Sequence, residues 1–261
     1  MTRTLFLLIL CAATSQILAA ADLSADSMKT FAAYDQKVEQ GVRARMAAGS
    51  VVSLREKVAR NGKGAFVDSA ADPNPNDIGS AYIHDWIGAI FIPGATVAQV
   101  KSVLQDFDRH KQYFQPEVIE SKLIEKNGDE YRSALRLRKK KILTVILSTE
   151  FVTRFSDLSP TSGYSIARST RVSEVENPGS KTERVLPPGT GQGFLWNLNS
   201  YWTWEEKDGG VYLECRAVSL SRDVPTGLGW IVDPIIRSLP KESLQATLES
   251  TRKAVLSQAA R

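Results

Sequence analysis

Two kinds of hydrophobic spacing divide the chain. Residues 22 to 48 carry Met28, Phe31, Tyr34, Val38, Val42 and Met46 at steps of three and four, which predicts a helix with one apolar stripe, ended at Gly49-Ser50. Val51 to Val58 fits either a strand or a second helix, and Asn61 to Ser80, rich in Gly, Asn, Asp and Pro, reads as a loop. From Ala81 the period changes to two. Alternating segments at Ala81 to Ile92, Val118 to Glu125, Glu130 to Lys139, Ile142 to Phe155, Gly163 to Val175, Gly193 to Glu206 and Val211 to Arg222 predict seven strands. Turn sequences such as Asn127-Gly128-Asp129 and Asp208-Gly209-Gly210 separate several of them. After the first strand Pro93-Gly94 breaks the pattern, and Val97 to Phe107 returns to helical spacing behind Thr96, whose hydroxyl is placed to cap the first turn. A short turn, Asp108 to Phe114, stops at Pro116. The last element is an amphipathic helix from Asp233, its cap, and Pro234 to about Leu256, with Pro240 kinking or restarting it.

Alternation gives each strand an inside. Leu143, Val145, Leu147, Phe151 and Phe155 share one face of the fourth strand; Phe194, Trp196, Leu198, Trp202 and Trp204 share one face of the sixth; Val211, Leu213, Cys215 and Ala217 do so on the seventh. A long antiparallel sheet needs a cover for its apolar face, and the terminal helix, with Ile235, Ile236, Leu239, Leu244, Leu248 and Val255 in one stripe, is the best-placed element. Large aromatics beside smaller residues leave room under that cover. The expected ligand cavity is therefore lined by Leu143, Val145, Leu147, Phe151, Trp196, Trp202, Trp204 and Leu213 from the strands and by Ile235, Ile236 and Leu239 from the helix. The loop Pro225 to Trp230, with two glycines, Leu228 and Trp230, is read as a gate to that cavity, as a membrane contact, or as a plug packed on the sheet.

The element order and two stretches carry a resemblance. Ile92-Pro93-Gly94-Ala95-Thr96 leads into Val103-Leu104-Gln105-Asp106-Phe107-Asp108, and Gly229-Trp230-Ile231-Val232-Asp233-Pro234 leads into the closing helix. Over residues 82 to 257 the chain resembles the START-type helix-grip (SRPBCC) superfamily, which includes polyketide cyclases and lipid-transfer domains. The resemblance implies an α+β fold, a curved seven-stranded antiparallel sheet around a long C-terminal helix, with a cavity for a lipid or other hydrophobic small molecule. The helical N-terminal extension lies outside that pattern.

Composition refines the picture. Met1 to Ala21, with Arg3, an apolar run from Leu5 to Ala13 and an A-x-A ending at Ala21, is read as a signal peptide, which implies an exported protein, periplasmic or secreted. The run is shorter than the ~20 residues of a membrane span. Residues 22 to 80 then form the extension and loop, and 81 to 261 the domain. Cleavage leaves Cys215 without a disulfide partner, so the fold rests on its core; in an alternating strand it reads as a buried inert thiol before a reactive one. The formal charge of +4 loses one unit with Arg3. Arg136, Arg138, Lys139, Lys140 and Lys141 cluster at one strand end without interleaved aromatics, which argues against nucleic acid and leaves a solvated strand face or a contact for anionic lipid headgroups. No catalytic constellation is predicted. His84 and Asp85 point to opposite faces of a strand, Asp106 and His110 lack a third metal ligand, and Gly189-Thr190-Gly191-Gln192-Gly193 precedes a strand instead of opening a helix, so neither metal nor cofactor is expected. Glu150, Arg168, Glu214 and Arg216 are read as cross-strand pairs. The leading expectation is an exported binding protein; the alternatives are a cyclase- or hydrolase-like enzyme using Tyr201, Glu150 or Arg168 in the same cavity, and a ligand-free envelope interaction module.

Overall fold

The computed structural model describes residues 23–62, 64–79, 81–140, 144–191, 195–222 and 229–259, with side chains for all of these except 229–237 and 259. The predicted leader lies outside the described residues, as do Lys141, Leu143, Phe194 and Leu228. In chain order the elements are α1 (Ala25–Ala47), α2 (Arg55–Asn61), β1 (Phe66–Ser69), β2 (Asn76–Asp77), β3 (Ala81–Pro93), α3 (Val97–Leu104), a 3-10 turn (Phe107–Arg109), α4 (His110–Tyr113), β4 (Val118–Asn127), β5 (Glu130–Lys140), β6 (Thr144–Ser159), β7 (Ser162–Glu176), β8 (Arg184–Val185), β9 (Leu195–Lys207), β10 (Gly210–Arg222) and α5 (Gly229–Ala259).

The strands form one open antiparallel sheet in the order β1-β3-β10-β9-β7-β6-β5-β4, with β2 on β3 and β8 on β7. With α5 as the closing helix this is a helix-grip fold. The seven long strands are those predicted; β1, β2 and β8 bring the number to ten. Both β1 and β2 come from the stretch read as loop, where four and two residues are too few for alternation to register. Local chemistry fixes the ends of several elements. Thr96 and Gln99 form a reciprocal capping box at α3, and positive φ at both Asp208 (55°) and Gly209 (75°) gives the β9–β10 hairpin the turn whose twist matches its strands.

Helices cover both sides of the sheet. On one side α5 packs mainly on β3, with lesser contact to β1, β10, α3 and α4. It can press close because Gly88 has no side chain: a Cβ there would stand 2.9 Å from Leu248 Cδ1 and 2.8 Å from Val67 Cγ2. Beneath lie Ile90, Val211, Leu213, Trp204 and Phe155, joined by Val100 and Val103 of α3 and by Leu244, Leu248 and Val255 of α5. Each such apolar side chain contributes roughly 1.5–3 kcal/mol by its burial. On the other side α1 lays Phe31, Val38, Val42 and Met46 on Ile83, Ile166, Val218 and Leu220, and α2 lays Val58 near Ala89 and Tyr212. The N-terminal helix is thus part of the fold's core packing rather than an appendage.

Two expectations about α5 change. The helix begins at Gly229, four residues before Asp233, so Trp230 stands in its first turn and not in a loop. It also runs through Pro240 as a single element of 31 residues.

Candidate functional site

Strand register defines what faces α5. One rung crosses the sheet as Tyr131, Thr153, Ala167, Ser200, Ala217 and Trp86, on β5, β6, β7, β9, β10 and β3. On one side of it run Phe155, Ser165, Trp202, Cys215 and Gly88. On the other run Ser133, Phe151 and Ser169, then Leu198, Ser219 and His84. The Ser169 hydroxyl joins the two halves of that rung, accepting from Leu198 N at 3.0 Å and donating to Asn197 Oδ1 at 2.9 Å.

The middle of this face is built from small side chains. Ala167, Ser200 and Ala217 sit at the centre of a ten-stranded sheet on its helix-facing side, where burial should be complete, yet all three are only half-buried. So are Trp202, Phe151, Leu198 and Trp86 around them. Space remains because α5, seated on Gly88 at β3, lies toward one edge and leaves β6, β7 and β9 outside its main contacts. Two surface clefts, about 410 Å³ beside Asn127, Glu130 and Arg154 and about 500 Å³ beside Asp26, Thr30 and Tyr34, lie elsewhere.

Of the predicted cavity residues, Phe151 and Trp202 flank this floor, and Leu239 is half-buried on α5. Trp204 and Leu213 are fully buried in the packed core. The Trp204 indole lies so close over Gly163 that a Cβ there would be 2.8 Å from Nε1. Val145 and Leu147 join a separate cluster with Val118, Leu137 and Val172. Trp196 does not share the face of Trp202. Opposite Leu220 and Ser221 the β9 register slips, Asn197 pairing with Leu220 and Leu195 with Ser221, so Trp196 is the extra residue and packs among Phe31, Val218 and Leu220 under α1. Ile235, Ile236 and Trp230 are placed on α5 by the backbone alone. Alternation places Ala217 on this face, but Ala167 and Ser200 went unpredicted; their signal on β7, Ser165, Ala167 and Ser169 in alternation, was present.

The residues named for an enzyme go to the other side of the sheet. Tyr201 donates to Asp35 Oδ1 at 2.6 Å, Arg168 pairs with Glu39, and Glu150 pairs with Arg171 at 3.3 Å. That side holds three polar clamps on buried charge. Asp85 receives both Nε (2.8 Å) and Nη2 (2.6 Å) of Arg216, and Tyr34 of α1 donates to Oδ2 at 2.7 Å. Asp35 of α1 meets Tyr201 and, at 3.7 Å, Arg168. Glu214 takes Arg45 of α1 at 2.7 Å and the amides of Ser53 and Leu54, at 2.7 and 2.9 Å, where α2 begins. Two of the four residues read as cross-strand partners do pair across strands, Glu150 with Arg171 and Arg216 with Asp85, while Arg168 and Glu214 instead hold α1. Burial raises the Asp35 carboxyl above its ordinary range against the pull of Tyr201 and Arg168. Burial and then the Asp85 carboxylate raise the Tyr34 hydroxyl.

His84 and Asp85 do point apart, His84 toward α5 with Nε2 2.7 Å from Ser221 Oγ. Asp106 accepts from Tyr113 at 2.7 Å, and His110 is buried with Nε2 3.3 Å from the Val103 carbonyl. No group of three metal-ligating side chains occurs among the described residues. Cys215 is buried, and its burial holds the thiol well above the usual range. In the basic cluster Arg136 is taken by Glu183 (2.7 Å) and Glu120 (3.3 Å), and Lys139 by Glu117, leaving Arg138 and Lys140 exposed.

No protein-family model and no curated protein matches the sequence. Among solved structures the chain is similar to a protein of Thermus thermophilus (14% identity, TM-score 0.48, covering 66% of this chain and 97% of that one). It is similar to a STAR-related lipid transfer protein from Xanthomonas axonopodis (17%, 0.43, 73% and 99%). It is also similar to the Zhui aromatase/cyclase from Streptomyces sp. R1128 (16%, 0.42, 69% and 94%). By its own element order and sheet topology, the chain is a helix-grip protein with an added helix on the far side of the sheet.

Proposed function

We propose that this is an exported binding protein that holds a lipid or other hydrophobic small molecule between the sheet and α5. The observation that carries the reading is the floor of Ala167, Ser200 and Ala217, half-buried in mid-sheet and ringed by the half-buried Trp202, Phe151, Leu198 and Trp86. An apolar molecule laid there would complete a burial that the protein's own side chains leave unfinished. Ile235, Ile236 and Leu239 on α5 would form its roof, and Leu228 with Trp230 would mark the place where it enters. The N-terminal leader fits delivery outside the cytoplasm, where an apolar cargo needs shielding from water. The exposed Arg138 and Lys140 would offer at most a slight attraction to an anionic membrane.

Native mass spectrometry of gently purified protein tests the reading, together with uptake of the apolar dye Nile red. A co-purified apolar mass or saturable dye binding, lost when Ala167 and Ala217 are both replaced by Leu, is the expected result. Protein that is empty, folded and unable to take up the dye would exclude it.

A further inference from the structure

The floor is apolar only in part. On the helix-facing side, four hydroxyls that take no side-chain hydrogen bond among the described residues border the centre, one on each of the adjacent strands β6, β7, β9 and β10: Thr153, Ser165, Ser200 and Ser219. They surround Ala167 and Ala217, and diagonal neighbours in such a sheet lie roughly 7–8 Å apart. None of the four makes a side-chain hydrogen bond to another described residue, whereas Thr149 and Ser169 on the same face are both engaged. Thr153, Ser165 and Ser219 are 5%, 2% and 6% exposed, so bulk water does not serve them freely. Ser200, half-buried at the centre, faces the open space.

From β6 to β3 the same three rungs carry no carboxylate, lysine or arginine among the described residues; at the edge strand β4 the Tyr131 rung adds the exposed Lys126, its ammonium 4.9 Å from the Tyr131 ring centre. His84 is engaged with Ser221. Lys139, farther along β5, is held by Glu117 and Ser243, and Lys241 is exposed with its ammonium 5.6 Å from the Trp86 ring centre. A hydroxyl both donates and accepts, so it serves hydroxyl and carbonyl oxygens alike, while an ionised group buried among the central strands would find its nearest described counter-charge only at the exposed rim, at Lys241.

We infer that the occupant is an uncharged molecule whose apolar body carries hydroxyl or carbonyl oxygens that meet Ser200 and its neighbours, and that it is not a fatty-acid anion. The inference rests on the binding reading above and narrows it. Ser200 is then the specificity-determining position, since it is the one floor hydroxyl facing the open space from the middle of the sheet.

Competition against bound Nile red tests it on the whole chain from residue 22, with two probes sharing one C18 chain: monoolein, neutral with two hydroxyls and an ester, and oleate at pH 8. Monoolein is expected to displace the dye at a concentration at least 10-fold below that of oleate. Ser200→Ala should weaken monoolein about 5- to 10-fold and leave oleate unchanged, and Ser200→Thr should keep the preference. Oleate binding as tightly as monoolein, or a Ser200→Ala effect equal on both, overturns the inference while leaving an apolar site in place. Failure of the wild-type protein to take up Nile red overturns both.

Discussion

The two sides of the sheet are built on opposite plans. Between α1 and the strands lies buried charge, and each carboxylate is met: Asp85 by Arg216 and Tyr34, Asp35 of α1 by Tyr201, Glu214 by Arg45 and the start of α2. Under α5 the strands present Ala, Ser and Gly among aromatics, without charge from β6 to β3 in the central rungs and without complete burial. A buried ion pair tolerates little displacement, because separating the partners leaves a desolvated charge. A small-residue floor tolerates much more. One side therefore fixes geometry, and the other is free to accommodate a guest.

Removing a charge partner should expose this contrast most sharply. Asp85→Ala strands Arg216 and takes the acceptor from Tyr34, and should cost about 3–5 kcal/mol in chemical denaturation, the range for breaking a buried pair; a loss below about 1 kcal/mol would mean that the α1 side is not the rigid one. The second effect belongs to the packed end of the α5 side. Burial pushes His110 down to about 4 from 6.5, so the ring is neutral in the fold while the unfolded chain takes up a proton below about 6.5. Stability is then complete above that pH and is lost as pH falls toward 4. By pH 4.5 the loss is about 2–3 kcal/mol, which a His110→Asn variant should largely escape when the two pH profiles are compared.

Smaller effects separate the packed and open parts of the α5 side. Gly163→Val would drive a side chain into Trp204 Nε1 and the Ser156 carbonyl, at 2.8 and 2.7 Å from the first added carbon, and should cost about 1–3 kcal/mol by thermal melting. Ala167→Leu, two rungs away in the open part, should cost less than about 1 kcal/mol in the same assay while reducing Nile red uptake. Equal costs at the two positions would show that the floor is packed after all.

Period and turn chemistry made most of the architecture legible, since seven strands, α3 with its Thr96 cap, α1 and the closing helix all announce themselves by spacing. The site was only half legible. Alternation was followed through Trp196 to Trp204 as if the strand were regular, but a single extra residue opposite Leu220 and Ser221 turns Trp196 to the other side. Searching for large side chains also selected Trp204 and Leu213, which fill the core, and passed over Ala167 and Ser200, whose smallness makes the space. The clamps on α1 were hidden for a different reason. Asp35 interrupts an apolar stripe, and nothing local in a sequence says that Tyr201 waits for it 166 residues later.

That separation has a consequence for the order of assembly. The first helix is secured by groups from the last third of the chain: Arg45 by Glu214 and Tyr34 through the Asp85–Arg216 pair. Such contacts must close loops spanning most of the polypeptide before they stabilise anything, which slows the search for the native state. A nascent chain lacking β10 is missing two of the three clamps that involve α1, so a segment synthesised early is among the last to settle.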